Sequence, residues 1–171
     1  MRPLFSAAIG LIALLAPLAG SAGAQERPLP AVEFGAGWIG FADDGIVSEG
    51  LVGGAGRWYM SPRISLGPEV VYIFGSNHSH LVATGNVTFD LLSPEGGRPR
   101  DVTPFLVAGG GLYQTRETFF AGDFTSNEGA FTAGGGVRAS SDRITIGIDA
   151  RVGWELHLRV NGFVGFRLGR Q

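Results

Sequence analysis

Residues 143–168 read RITIGIDARVGWELHLRVNGFVGFRL, and the order of residue types along them decides the fold. In the first half Ile144, Ile146, Ile148, Ala150, Val152 and Trp154 share one face, opposite Thr145, Gly147, Asp149 and Arg151. In the second half Leu156, Leu158, Val160, Gly162, Val164, Phe166 and Leu168 oppose His157, Arg159, Asn161 and Arg167. A period of two is that of a β-strand, whose successive side chains point to opposite faces. Neither apolar face carries a charge, so each segment is an amphipathic strand with one face committed to a nonpolar medium.

Outward from this pair the pattern repeats. Further alternating segments fall at residues 32–41, 50–59, 63–74, 80–92, 103–113 and 129–139, which with 143–154 and 156–168 predicts eight strands. Leu81, Ala83, Gly85, Val87, Phe89 and Leu91 oppose Thr84, Asn86, Thr88 and Asp90. Phe131, Ala133, Gly135 and Val137 oppose Thr132 and Arg138, and Ile64, Leu66, Pro68, Val70, Tyr72 and Phe74 oppose Ser65, Gly67 and Glu69. Met60-Ser61-Pro62 and Ser140-Ser141-Asp142 predict tight turns, and residues 93–101 a Pro/Gly turn. The other set of connections, at residues 42–49, 75–79 and 115–127, is expected to be looser. The fold class expected is all-β: an eight-stranded antiparallel up-and-down transmembrane β-barrel. The alike pieces 108–112 and 133–137 are expected to be partners in one hairpin.

A soluble lipocalin-like barrel would hide the apolar face, whereas a membrane barrel turns it outward. The charges of the polar face are Glu33, Glu69, Asp90 and Asp149 against Arg57, Arg138, Arg151, Arg159 and Arg167, a nearly balanced set. In a lumen eight strands wide side chains fill the interior, and charges persist there when paired. These nine residues are therefore expected to form a luminal network that plugs the barrel. Two aromatic sets support the membrane reading, as interfacial girdles would: Phe34, Trp58, Phe89, Phe105 and Phe166 near one rim, and Trp38, Phe74, Tyr113, Phe131 and Trp154 near the other. Ten-residue strands tilted by about 40° span roughly 25 Å, the height of an outer-membrane barrel's apolar band.

Composition agrees. Glycine contributes 29 of 171 residues, more than double the ~7% average. There is no cysteine, which excludes disulfides, thiolate metal sites and lipidated cysteine. All thirteen basic residues are arginines, and a formal charge of −2 lacks the excess that nucleic-acid binding requires. At the start, Arg2, an apolar run and Ala22-Gly23-Ala24 predict a signal peptide over residues 1–24, cleaved on export. A short segment, 25–31, and the barrel domain, 32–171, follow.

The chain resembles the small eight-stranded outer-membrane β-barrels of Gram-negative bacteria, the OmpA/OmpX and opacity-protein type. The resemblance lies in residues 61–69 (SPRISLGPE), 103–107 (TPFLV), 133–138 (AGGGVR) and 164–168 (VGFRL). It implies a place in the outer membrane, both termini in the periplasm, and contact with membrane lipid, lipopolysaccharide and the assembly machinery. That family usually closes on an aromatic residue, whereas here Phe166 and Leu168 precede Gly169-Arg170-Gln171. The peptidoglycan tether of longer relatives is not expected.

Sharper motifs resolve into plainer ones. Gly35-Ala36-Gly37-Trp38-Ile39-Gly40 matches G-x-G-x-x-G, but a dinucleotide site needs a helix after it, and Asp43-Asp44-Gly45 follows. No cofactor is expected. Asp43, Asp44 and Glu49 lack the regular spacing of a calcium loop. Ser76-Asn77-His78-Ser79-His80 places a base beside a hydroxyl, as a lipid-modifying rim triad would, and its histidines could share a divalent metal. Ordinary polar loop residues are the simpler reading, so neither a catalytic residue nor a metal ligand is assigned. Phe119, Phe120 and Phe124, with His78 and His80, are the expected loop contacts for an extracellular partner. The function expected is structural or surface-interactive rather than enzymatic. A lipid-modifying enzyme, a narrow pore and a soluble binding barrel are the alternatives.

Overall fold

In a computed structural model the chain forms a closed barrel of eight strands, each hydrogen-bonded to its sequence neighbours and β1 to β8. The structure describes residues 27–43, 45–75, 78–92, 102–119, 122–141, 143–154 and 156–169. The expected signal peptide and the 93–101 turn lie outside them. The strands are β1 (Ala31–Asp43), β2 (Gly45–Tyr59), β3 (Ile64–Phe74), β4 (His78–Asp90), β5 (Val102–Phe119), β6 (Gly122–Ser140), β7 (Ile144–Gly153) and β8 (His157–Arg167).

All eight pairings are antiparallel, and β1 closes on β8 from Ala31↔Arg167 to Phe41↔His157. That seam puts both ends of the described barrel at one rim, the terminal end; the hairpin tips between β1 and β2, β3 and β4, β5 and β6, and β7 and β8 form the opposite, tip end. At the terminal end the β2–β3 turn is held by backbone donation from Met60 and Ser61 to Ile64 O, 2.9 and 3.2 Å, while Ser61 Oγ accepts from Ile64 N at 3.0 Å. Arg63 then reaches across to the carbonyls of Asp90 and Leu91.

The alternation read from the sequence is the inside–outside alternation of the barrel. Ile144, Ile146, Ile148 and Val152 are exposed, whereas Thr145, Asp149 and Arg151 are buried. The same division separates Leu158, Val164 and Phe166 from His157, Arg159 and Asn161. A soluble barrel does the reverse. The continuous apolar exterior suits hydrocarbon, where closure also leaves no strand edge with unsatisfied backbone.

Four expectations need correction. Tyr113 and Phe105 are not girdle residues: each is 2% exposed and faces the lumen. Strand β5 carries apolar residues on both faces, Phe105, Val107 and Tyr113 inward and Leu106, Ala108 and Leu112 outward, so over this stretch its sequence holds little contrast to fix the facing. Residues 115–127 are not a loop, because β5 and β6 continue as a hairpin through Thr115↔Ser126 to Phe119↔Gly122. Nor is 42–49 a loop, since β1 and β2 pair out to Asp43↔Gly45. Polar residues in these stretches read as loop, yet threonines and aromatics are good strand formers, and Gln114 Nε2 donates to Asn127 Oδ1 across the hairpin at 2.9 Å. The glycine-rich pieces do lie on paired strands, although only Ala108↔Ala133 brings them opposite.

The remaining girdle residues face outward. Phe34, Trp58 and Phe166 are exposed on one side, and Trp38, Phe74, Phe131 and Trp154 on the other, with Phe89 half-buried.

Candidate functional site

Two features occupy the lumen. The first is a set of buried ion pairs. Arg57 donates in fork fashion to Glu33 from the adjacent strand, Nε to Oε1 at 3.0 Å and Nη2 to Oε2 at 2.7 Å. Arg138 Nη2 donates to Asp90 Oδ1 across β5. Phe105 lies between these two cations, 5.8 Å from the Arg57 guanidinium carbon and 5.0 Å from that of Arg138. Its ring thus takes a place a girdle residue could not, packed against Phe163 and faced by two guanidiniums.

Glu69 is the hub of the second cluster. Its Oε1 accepts from Arg159 Nη2 at 2.8 Å, and its Oε2 from Arg151 Nη1 and Asn86 Nδ2, each at 2.9 Å. Arg151 also forks onto Asp149, at 3.0 and 3.2 Å. Four strands, β3, β4, β7 and β8, therefore meet through one carboxylate across the barrel axis. The backbone approaches closely here: a Cβ at Gly136 would collide with Ile148 O and lie 2.8 Å from Asp149 Cα. The void beside the cluster, lined by Glu33, Gly35, Leu51, Glu69 and Asp149 among others, is about 20 Å³, room for about one water. Arg167, the ninth of the charges, sits half-buried at the terminal end of β8, in register with Ala31.

Toward the tip end the lumen turns apolar, through Ile39, Leu51, Val71, Ile73, Val82 and Tyr113. Above this layer lies the second feature, at the mouth. Glu49 on β2 is 5% exposed, His80 on β4 is buried and His78 is partly exposed. His78 Nε2 contacts Glu49 Oε1, and His80 Nε2 lies 3.9 Å from Glu49 Oε2. The other ring nitrogen of His80, Nδ1, is 3.1 Å from Thr115 Oγ1. Phe41 packs between His80 and His157, with ring centroids 5.8 and 5.7 Å away.

Ser79 is not part of this arrangement. It stands in register with outward-facing Phe74, so its side chain leaves the barrel on the face opposite His78 and His80. The hydroxyl and the base read side by side in the sequence are thus on different faces. Ser76, Asn77 and Phe120 lie outside the described residues, and Phe119 and Phe124 are placed by their backbone alone, at the β5–β6 tip.

No protein-family model matches the chain, and no curated protein matches it in sequence. Solved structures match it closely in shape. The Neisserial surface protein A structure superposes with a TM-score of 0.67 at 11% identity, covering 81% of this chain and 97% of that one. The N-terminal β-barrel domain of Pseudomonas aeruginosa OprF gives 0.61 at 14%, covering 81% and 97%. Ail, the attachment invasion locus protein of Yersinia pestis, gives 0.57 at 11%, covering 83% and 99%. The fold is that of the eight-stranded transmembrane barrels.

Sequence reading missed Glu49 as a partner of the histidines. Its inward parity with Leu51 and Arg57 was available; its meeting with β4 was not, because β3 lies between the two strands.

Proposed function

We propose that this chain is an outer-membrane barrel whose own charged pairs close its lumen, and that its role is structural and surface-interactive. One observation carries the reading: hydrogen-bonded ions reach across the lumen at Glu69, with a void of about 20 Å³ beside them. A conducting pore needs a continuous water column, which such a bridge interrupts. The apolar exterior contacts lipid and lipopolysaccharide, export through the 1–24 signal delivers the chain to the assembly machinery, and the tip end faces outward. There the β5–β6 hairpin, longer than the neighbouring strands, is the surface offered to an extracellular partner, and Phe119, Phe120 and Phe124 are the residues of that stretch proposed to make the contact. The name of Ail, an attachment protein of the same fold, supports that use of a small barrel's tips. The outward direction of Ser79 weighs against a Ser79–His80 lipid-modifying site.

The test is reconstitution. Host fractionation is expected to place the chain in the outer membrane, and unheated samples in detergent are expected to run faster on gels than boiled ones. Planar bilayers should show no single-channel steps. Regular unitary conductance would overturn the closed lumen, and a soluble periplasmic chain without a mobility shift would overturn the membrane assignment. A change in lipid A that disappears when Ser79, His78 and His80 are replaced together would return the enzyme reading.

A further inference from the structure

The mouth cluster is built in a way that the structural role does not use. Glu49 is almost fully buried, yet neither carboxylate oxygen accepts a hydrogen bond among the described residues. Its close neighbours are the Nε2 atoms of two imidazoles, which need not carry charge. A buried carboxylate without hydrogen bonds or a firm countercharge is costly, and elsewhere in this lumen every acid of the network has an arginine. Among the described residues Glu49 is paired with the two histidines and with no arginine.

We propose that Glu49, His78 and His80 form a binding site for a divalent transition cation of the zinc type, open to the outside through the barrel mouth. Each residue offers one ligand atom, and the three atoms lie within 4.8 Å of one another. Tetrahedral zinc with bonds of about 2.0–2.1 Å needs its ligand atoms about 3.4 Å apart. His78 Nε2 stands closer than this to Glu49 Oε1 and His80 Nε2 a little farther from Oε2, at 3.9 Å, so a bound ion requires the partly exposed His78 ring to swing back from the acid while the carboxylate turns toward His80. Two imidazoles and one carboxylate make three protein ligands and leave a fourth position for water. The donor set disfavours calcium and magnesium, which take oxygen ligands.

Two details of the surroundings fit a ligating role. Thr115 Oγ1 engages His80 at Nδ1; with the proton there, the Nε2 lone pair turns toward Glu49, the way an outer hydrogen bond fixes the tautomer of a metal-binding histidine. Strand β3 stops at Phe74, and Gly75 follows it without a side chain in the space where Glu49 and His78 meet. A Cβ at Gly75 would strike Glu49 Oε1 and lie 2.8 Å from His78 Nε2. The site is reached from an open depression of about 420 Å³ lined by Val47, Ser48, Glu49, Gly75 and His78 among others. A bound cation would tie β2 to β4 across the end of β3. The third histidine does not belong to the group: among the described residues the ligand atoms within 4.8 Å of one another are those of Glu49, His78 and His80 alone, and His157 packs on Phe41.

The experiment uses tag-free protein folded in detergent, titrated with zinc alone by calorimetry and, in parallel, with cobalt read by its visible absorption. One saturable equivalent is expected, unaffected by excess calcium or magnesium. Glu49→Gln and His78→Ala are expected to weaken it at least about ten-fold, while His157→Ala leaves it unchanged. The gel mobility of unheated samples shows that each variant is folded, and the partly exposed His78 gives a variant whose folding does not depend on the buried acid. Absence of saturable zinc binding in the unaltered protein overturns the proposal, as does binding that His78→Ala retains.

Discussion

At the scale of single residues, Glu69 ties together more strands than any other charge among the described residues. It accepts hydrogen bonds from Arg151, Arg159 and Asn86, so removing it leaves the buried Arg159 without its acid and Arg151 with Asp149 alone. Glu69→Ala is expected to destabilise the folded barrel by about 3–5 kcal/mol, measured by urea unfolding in detergent. A loss below about 1 kcal/mol would mean that water, rather than the acid, neutralises the arginines. The sequence announced Glu69, because a lone charge on one parity of an apolar strand has nowhere to go but inward. It said nothing of which arginine it meets, since pairing across the axis depends on the register of strands far apart in the chain. Phe105 and Tyr113 were misread for a related reason: an apolar side chain on a strand apolar on both faces carries no mark of direction.

At the scale of strands, facing can be tested by reversing it. Ile148 is exposed near the middle of β7, with Asp149 buried beside it. Ile148→Arg is expected to cost about 2–4 kcal/mol in lipid vesicles, whereas Leu156→Arg, at the exposed β7–β8 tip, costs about 0–1 kcal/mol. Equal costs would remove the apolar face from the bilayer. Strand number and facing were legible because alternation survives wherever polar and apolar residues contrast. Strand ends were not. Residues 115–127 look like loop by polarity, but cross-strand pairing extends an existing ladder at little cost, and β5 and β6 run on to Phe119 and Gly122. Replacing 116–125 with a short glycine-asparagine turn is expected to leave the heat-modifiable barrel intact and to abolish attachment to a surface partner.

At the scale of the whole molecule, closure is the last and most distant event in the chain. The β1–β8 seam joins Ala31 to Arg167, and such non-local pairing forms slowly because loop entropy is lost before contacts repay it. A chain ending at residue 140, without β7 and β8, is expected to show no fast-running unheated band on gels. A stable band would mean that six strands close by themselves. The Glu69 hub adds an ordering in time to this geometry. Its partners Arg151 and Arg159 stand 82 and 90 residues further along, so for most of synthesis and export the acid has no cation to meet. Half a barrel would carry a bare carboxylate on the surface destined for the dry interior. The first four strands therefore cannot commit ahead of the last two, and a nascent chain stays open until its final segment arrives. What the finished protein gains as a lock, the growing chain experiences as a delay.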